Sequence, residues 1–327
     1  MNQTPPRVAI VGAGRMGRGI AIAFAYGGYE VDLIDFKPRP VADFDRVRAE
    51  IEAEFETSLG ALVTLGAMSQ EDHVRIRSRI AVVPESASAD SIRRAELIFE
   101  AVPETLEAKR DGLTRICASA PSGAIIASTT STILASELAE FVAKPERFLN
   151  AHWLNPAHIV PLVELSAHPS TSAHVVSWLK AILEDIGKVP VVCATAPGYI
   201  VPRLQALIMN EAARMVEEGV ASADEIDKAT RYGLGLRFAS IGVLEFIDFG
   251  GNDILYHASR YLSGRLSPER YAAPDIVNRL MAEGRNGLKD GQGFFDYRSR
   301  DTAEYRRDVL TRTLGMLRHF GLQQPPR

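Results

Sequence analysis

Cysteine is nearly missing from this chain: two occur in 327 residues, Cys117 and Cys193, with no CxxC spacing and no Cys/His pairing. That excludes a disulfide framework and a cysteine-based zinc site, and it suits a reducing, cytoplasmic compartment. There is no apolar run of the roughly 18 residues that a membrane span requires. Even Gly235 to Gly250 carries Arg237, Glu245 and Asp248. A surplus of positive charge is absent too: 37 Lys and Arg stand against 41 Asp and Glu, a formal net charge of −4. Such a balance argues against a partner held through a phosphate backbone. Met1 to Arg7 shows no basic segment leading into an apolar core, so no secretion signal is read there. Neither nucleic acid nor a membrane is expected as a partner. What remains is an ordinary globular composition, 46% hydrophobic and 24% charged, in a chain long enough for two cores at about 150 residues per domain.

Through the first half, short apolar runs bounded by turn or polar residues alternate with helical patterns. These runs are Arg7 to Val11, Val31 to Asp35, Ile80 to Val83, Leu97 to Ala101, Ala124 to Ser128, Phe148 to Trp153, Leu162 to Leu165 and Val189 to Cys193. Strand and helix in repetition imply an α/β domain with a mostly parallel sheet covered on both faces. Arg39 to Gly66 has no strand signal and reads as one or two amphipathic helices projecting from the repeat as an insertion. After Pro197-Gly198 the pattern becomes helical: Tyr199 to Gly219, Ser222 to Tyr232, Ala239 to Leu262 and Ser267 to Glu283. The organisation predicted is therefore an α/β domain over 1–195, with its insertion at about 39–66, and an all-helical domain over 196–327.

The first chemical signal is Gly12-Ala13-Gly14-Arg15-Met16-Gly17, which follows the strand Val8 to Val11 and opens a helical pattern. Gly12 permits a tight turn, Gly14 lets backbone approach a pyrophosphate, and Gly17 allows helix to pack closely on strand. The helix N-terminus then offers N–H groups and positive dipole to the anion. Asp35 closes the next strand at the distance, about 20 residues, where a carboxylate accepts hydrogen bonds from a ribose 2′-hydroxyl. NAD is predicted rather than NADP, because that carboxylate repels a 2′-phosphate, although Lys37 and Arg39 follow closely.

The second signal is His152, in Asn150-Ala151-His152-Trp153-Leu154-Asn155-Pro156, with Glu164 in a later strand-like run. A histidine at the carboxyl end of a strand, beside the crevice where such sheets bind ligands, is placed for proton transfer. Oxidising an alcohol requires a base that titrates near neutrality, and a buried carboxylate would fix its tautomer. Spacing alone leaves open that His152 is a satisfied core residue. His158 has no third ligand at metal spacing, so no metal is assigned.

Six ordered blocks together resemble the L-3-hydroxyacyl-CoA dehydrogenase family. They are the glycine motif with Asp35; Ala101-Val102-Pro103-Glu104 with Lys109; Ala127-Ser128-Thr129-Thr130-Ser131; His152 to Glu164; Pro197-Gly198-Tyr199-Ile200-Val201; and Gly287-Leu288-Lys289-Asp290-Gly291-Gln292-Gly293-Phe294-Phe295. The resemblance implies a Rossmann-type NAD domain followed by an all-α C-terminal domain through which the protein forms a homodimer. It makes His152 the general base, Glu164 its orienting carboxylate, and Ser131 a hydrogen-bonding partner of the substrate oxygen close to the nicotinamide. It further implies cofactor contacts from Glu104, Lys109, Asn155 and Lys289.

Two departures bear on the substrate. Pro202 stands where the hydroxyacyl-CoA enzymes have asparagine, which removes an amide that holds a carbonyl; Asn210, two helical turns on, is a candidate replacement. The insertion contains no lysine and carries Glu50, Glu52, Glu54 and Glu56, where those enzymes have a lysine-rich helix, and an acidic surface would repel a CoA phosphate. Pro161 to Leu165, Arg203-Leu204-Gln205, Val216-Glu217-Glu218-Gly219 and Gly233-Leu234-Gly235-Leu236-Arg237-Phe238 resemble the L-gulonate 3-dehydrogenase, or lambda-crystallin, branch. Arg237 is the candidate partner of a substrate carboxylate. The expected activity is NAD-dependent oxidation of a 3-hydroxy acid, or reduction of its 3-oxo form, with a free acid favoured over a CoA thioester. A hydroxyacyl-CoA dehydrogenase and a catalytically weak NAD-binding structural or regulatory protein are the alternatives.

Overall fold

The computed structural model describes residues 5–323; Met1 to Thr4, where the stretch read as lacking a secretion signal begins, lie outside the described residues. The chain divides into two compact units, Met1–Ile208 and Met209–Arg327.

In the first unit eight strands form one sheet: β1 Val8–Val11, β2 Val31–Asp35, β3 Ile80–Pro84, β4 Leu97–Glu100, β5 Ile125–Ser128, β6 Phe148–Trp153, β7 Leu162–Ala167 and β8 Val189–Cys193. Their order is β3-β2-β1-β4-β5-β6-β7-β8. Neighbours run parallel except β6 and β7, which are antiparallel. The chain leaves β1 toward one edge and returns through β4 on its other side, which makes the crevice where α/β sheets take ligands. Central strands are buried on both faces, as near-continuous apolar runs require. Val8 and Ile10 join one core cluster while Ala9 and Val11 join the other, following the two-residue period of the strand.

The helices of this unit are α1 Arg15–Tyr26, α2 Val41–Thr64, α3 Gln70–Ser78, α4 Ser88–Arg94, α5 Leu106–Ser119, α6 Ala135–Ala139 and α7 Ala173–Asp185. The insertion does not project. Helix α2 buries Phe44, Ile51, Phe55 and Leu59 on one stripe, and three of its glutamates form ion pairs at the surface. Glu54 pairs with Arg18, Glu52 with Arg77, and Glu56 with His73 at 3.0 Å. The apolar stripe packs the helix against its neighbours, while Glu50, Glu54 and Glu56 stay exposed, so the acidic character read from the sequence is kept in part.

Helix α8, Val201–Glu217, spans the division between the units. Beyond it the described residues form helices and no named strand: α9 Ala223–Ala229, a π-helical turn Thr230–Gly235, α10 Leu236–Ser240, α11 Val243–Gly250, α12 Asn252–Arg265, α13 Pro268–Tyr271, α14 Asp275–Ala282 and α15 Thr302–His319. The continuous helix expected over Ala239 to Leu262 is broken twice, the second time at Gly251, whose φ of 115° belongs to glycine. That expected over Ser267 to Glu283 breaks before Pro274, where the residue preceding a proline leaves the helical region. Among the described residues no helix is long and apolar enough to cross a membrane.

Candidate active site

The glycine loop joins β1 to α1. Gly12 has φ 117°, and a Cβ there would lie 2.3 Å from the carbonyl oxygen of Ala101; one on Gly17 would lie 2.0 Å from the carbonyl oxygen of Gly12. Neither position tolerates a side chain without backbone movement. Gly14, by contrast, has nothing within 4 Å of a built Cβ and lines a cleft of about 970 Å³. It is the N-cap of α1, with no side-chain cap and no acidic residue in the first turn. The N–H groups of that turn are therefore available to an anion. Arg15 and Met16 line the same cleft, and Met16 also packs on the core. Asp35, buried at the end of β2, receives the Arg39 Nε at 2.6 Å on Oδ2, which leaves Oδ1 for a ribose hydroxyl. Turn, helix end and carboxylate in one cleft fit NAD.

His152 and Glu164 face each other across the antiparallel β6/β7 pair. Their side chains meet because directly opposed residues project from the same face. His152 Nδ1 lies 2.8 Å from Glu164 Oε2, so Nε2 is the nitrogen left for the cleft that the imidazole lines. The other oxygen of Glu164 accepts the N–H groups of Ile200 and Val201, at 2.9 and 2.8 Å, where α8 begins. Burial opposes charge on Glu164, but His152 and these two N–H donors outweigh it and hold the carboxyl below its usual range. The tautomer and orientation of the imidazole are thus set by a carboxylate that stays ionised.

Glu104 organises the loop after β5. Its Oε1 accepts from the Thr130 hydroxyl at 2.6 Å, from the N–H groups of Ser131 and Thr132 at 2.8 and 3.0 Å, and from the Ser131 and Thr132 hydroxyls at 3.2 and 3.0 Å. Both Ser131 and Glu104 line the cleft. Burial raises the Glu104 carboxyl, yet Thr130, Lys109, Ser131 and Thr132 together push it down to about 2 from 4.5. A depressed pKa stabilises the fold fully above about pH 4.5 and loses that contribution as pH falls toward 2. Thermal melts across that window should decline less steeply for Glu104→Gln than for the parent protein; parallel declines would show that this charge contributes nothing.

Lys109 is placed differently from its neighbours in the motif. It is fully buried in α5, with Nζ at 3.1 and 3.2 Å from the two oxygens of Glu100 and 3.3 Å from Glu104 Oε2. It does not line the cleft. Glu100, the last residue of β4, also accepts from the Ser128 hydroxyl and the Val102 N–H. Asn155 is exposed on the cleft. Lys289 and Arg237 belong to the second unit. There Lys289 Nζ lies 2.7 Å from Asp253 Oδ2, and the exposed Arg237 guanidinium lies 5.5 Å over the Phe246 ring. The glycine-rich segment around Lys289 folds about buried Asp248, whose carboxylate accepts the N–H groups of Phe294 and Phe295 at 2.9 and 2.8 Å.

Sequence reasoning gave no individual role to three residues, although two of them, Tyr199 and Gln205, lie in its motif blocks. Glu100 was signalled only by a charge closing an otherwise apolar strand. Gln205 lies in the cleft lining with Pro202, one turn along α8, whereas Asn210 is outside that lining. Tyr199 stacks on His152, a contact that no spacing rule reveals. Among the described residues no group of three His, Cys, Asp or Glu side chains is placed to hold a metal ion.

A doubly wound sheet carries, on one cleft, a glycine loop, a buried carboxylate closing the second strand and a carboxylate-steadied histidine, and with the family match that follows the chain is an NAD-dependent oxidoreductase acting on CH–OH groups. Residues 7–196 match the 3-hydroxyacyl-CoA dehydrogenase NAD-binding domain, and residues 198–297 match the 3-hydroxyacyl-CoA dehydrogenase C-terminal domain. The chain belongs to the 3-hydroxyacyl-CoA dehydrogenase family. It is 32% identical to the 5-formyl-3-hydroxy-2-methylpyridine 4-carboxylate 5-dehydrogenase of Mesorhizobium japonicum, over 90% of this chain and 92% of that one. Identity to the lambda-crystallin of Oryctolagus cuniculus is 34%, covering 79% and 78%. The crystal structure of a 3-hydroxyacyl-CoA dehydrogenase from Archaeoglobus fulgidus superposes with a TM-score of 0.76 at 31% identity, covering 98% of this chain and 100% of that one.

Proposed function

We propose that this enzyme oxidises the secondary alcohol of a 3-hydroxy acid bearing a free carboxylate, or reduces the corresponding 3-oxo acid. The observation that carries the chemistry is the 2.8 Å contact of His152 Nδ1 with Glu164 beside the glycine loop. When bound, NAD accepts the hydride in oxidation and returns it in reduction. The residues assigned to hold it are Gly12, Gly14, Arg15, Met16 and Gly17 at the pyrophosphate, Asp35 at the ribose, and Ser131 and Asn155 toward the nicotinamide. Glu104 acts there by bracing Ser131, and Lys109 by bracing Glu104. His152 Nε2 takes the hydroxyl proton as the carbonyl forms, Glu164 stabilises the imidazolium, and Ser131 hydrogen-bonds the substrate oxygen. In reduction the same imidazolium returns the proton.

A free acid is supported by Pro202, which removes the family's amide, by the lysine-free insertion, and by a relative whose name describes a carboxylate. We assign Gln205, on the cleft, to substrate selection; Arg237 keeps its proposed role toward a substrate carboxylate, and Lys289 its proposed role toward the cofactor. Initial rates of NADH formation on 3-hydroxybutyrate, L-gulonate and 3-hydroxybutyryl-CoA should favour one of the acids. Arg237→Leu should raise KM for an acid far more than for its ester. Faster turnover of the thioester would instead make the protein a hydroxyacyl-CoA dehydrogenase, and NAD binding without turnover would make it a binding protein.

We further propose a homodimer formed through the second unit, where Ile254, Tyr261, Leu266 and Leu310 are large apolar side chains exposed to solvent. A mass near 35.7 kDa by light scattering would overturn this. Cys117 and Cys193 are both free, in keeping with a cytoplasmic setting.

A further inference from the structure

Tyr199 is the one non-glycine residue with positive φ among the described residues, at 45°. Left-handed backbone at a bulky residue costs about 1–2 kcal/mol and persists only where surrounding contacts impose it. Here the contacts lead to the reacting groups. The Tyr199 ring lies 4.8 Å from the His152 ring at an interplanar angle of 15°, a stacked arrangement. Its hydroxyl donates to the carbonyl oxygen of Thr130 at 2.8 Å and accepts from Asn150 Nδ2 at 3.1 Å. Thr130 precedes Ser131, and Asn150 lies on β6 two residues before His152. The same Asn150 amide reaches the carbonyl oxygen of Ile133 at 2.9 Å, on the far side of the Ser131 loop. The next two residues after Tyr199 donate their N–H groups to Glu164.

We propose that Tyr199 is a positioning residue whose ring holds the His152 imidazole in plane while its hydroxyl ties that imidazole to the loop carrying Ser131. The tyrosine touches neither substrate nor cofactor in this role; it sets the separation and mutual angle of the two groups that meet the substrate oxygen. Side chains aimed at one reacting atom lose effectiveness with displacements of about 1 Å, so a tie between them acts on kcat rather than on cofactor affinity. Burial, the largest influence, pushes the phenol above its usual pKa, so the hydroxyl remains a donor to Thr130 throughout the working pH range. The inference rests on the reading of His152 as the base.

The test compares Tyr199→Phe, which keeps the stack and drops the tie, with Tyr199→Leu, which drops both, each alone and combined with Ser131→Ala. Turnover is read on whichever of 3-hydroxybutyrate, L-gulonate and 3-hydroxybutyryl-CoA the parent enzyme uses fastest. The phenylalanine variant should lose about tenfold in kcat alone but less than about twofold in the Ser131→Ala background, because coupled residues are non-additive. The leucine variant should lose about tenfold more, with KM for NAD within about twofold of the parent in every case. Equal losses in both backgrounds, or losses tracking KM for NAD, would overturn the proposal. So would parent-like kcat in both tyrosine variants. His152→Gln separates the two levels: a parent-like rate there defeats the functional reading itself, whereas a crippled His152→Gln beside a normal Tyr199→Leu defeats only the positioning role.

Discussion

His152→Gln should lower turnover about a hundredfold or more, the usual span for removal of a general base, while leaving NAD affinity nearly unchanged. Glutamine is chosen because its amide can still donate to Glu164. Truncation to alanine would leave a buried carboxylate oxygen without its partner, at a cost of about 1–3 kcal/mol, and would confuse lost folding with lost chemistry. The loss should fall on kcat and kcat/KM together, because the imidazole is needed when the hydroxyl proton departs and not when the cofactor docks. NAD titration by fluorescence, with steady-state rates on the same sample, measures both quantities. A variant that turned over within about fivefold of the parent would remove His152 from proton transfer.

The second large effect is on stability. Lys109→Met leaves Glu100 fully buried with only the Ser128 hydroxyl and the Val102 N–H for company. Breaking one side of a buried ion pair typically costs about 3–5 kcal/mol, since the surviving charge is neither solvated nor compensated. Urea unfolding should show that loss, and Glu100→Gln added to Lys109→Met should recover much of it, because the double variant buries no charge. A destabilisation below about 1 kcal/mol for the single variant would mean that water or rearrangement supplies what Lys109 does. NAD affinity of the double variant then distinguishes bracing from direct contact. Bracing predicts weakened binding through a displaced Glu104 and Ser131 loop, restored in part wherever that loop is restored.

The strands were legible to within one or two residues because each is a short apolar run between turn residues, and such runs have few alternatives in an α/β pattern. Less legible were the places where one residue decides against a longer pattern. Gly251 and Pro274 break helical stretches whose apolar spacing continues across the break. Helix α15 has a single buried residue, Val309, so its sequence carries little amphipathic signal. At the site, the glycine loop and Asp35 stood out because their chemistry is local to one strand–turn–helix unit. The His152 and Glu164 side chains were both nameable, but their meeting depends on strand register, which main-chain pairing sets and side-chain spacing does not reveal. Lys109 illustrates the opposite case. Its position in the motif points toward the cofactor, while its environment, fixed by a carboxylate nine residues earlier at a strand end, turns it inward.

The reversal of direction between β6 and β7 has a wider consequence. The pair proposed to transfer the proton is a rung of a hydrogen-bonded ladder, whereas the groups proposed to select the substrate, Pro202 and Gln205, sit on the opening turns of a helix. The helix start also serves Glu164, but only through the backbone N–H groups of Ile200 and Val201, so side chains farther along it can be exchanged while those two bonds are kept, and a scaffold of this kind is suited to being redirected among hydroxy compounds.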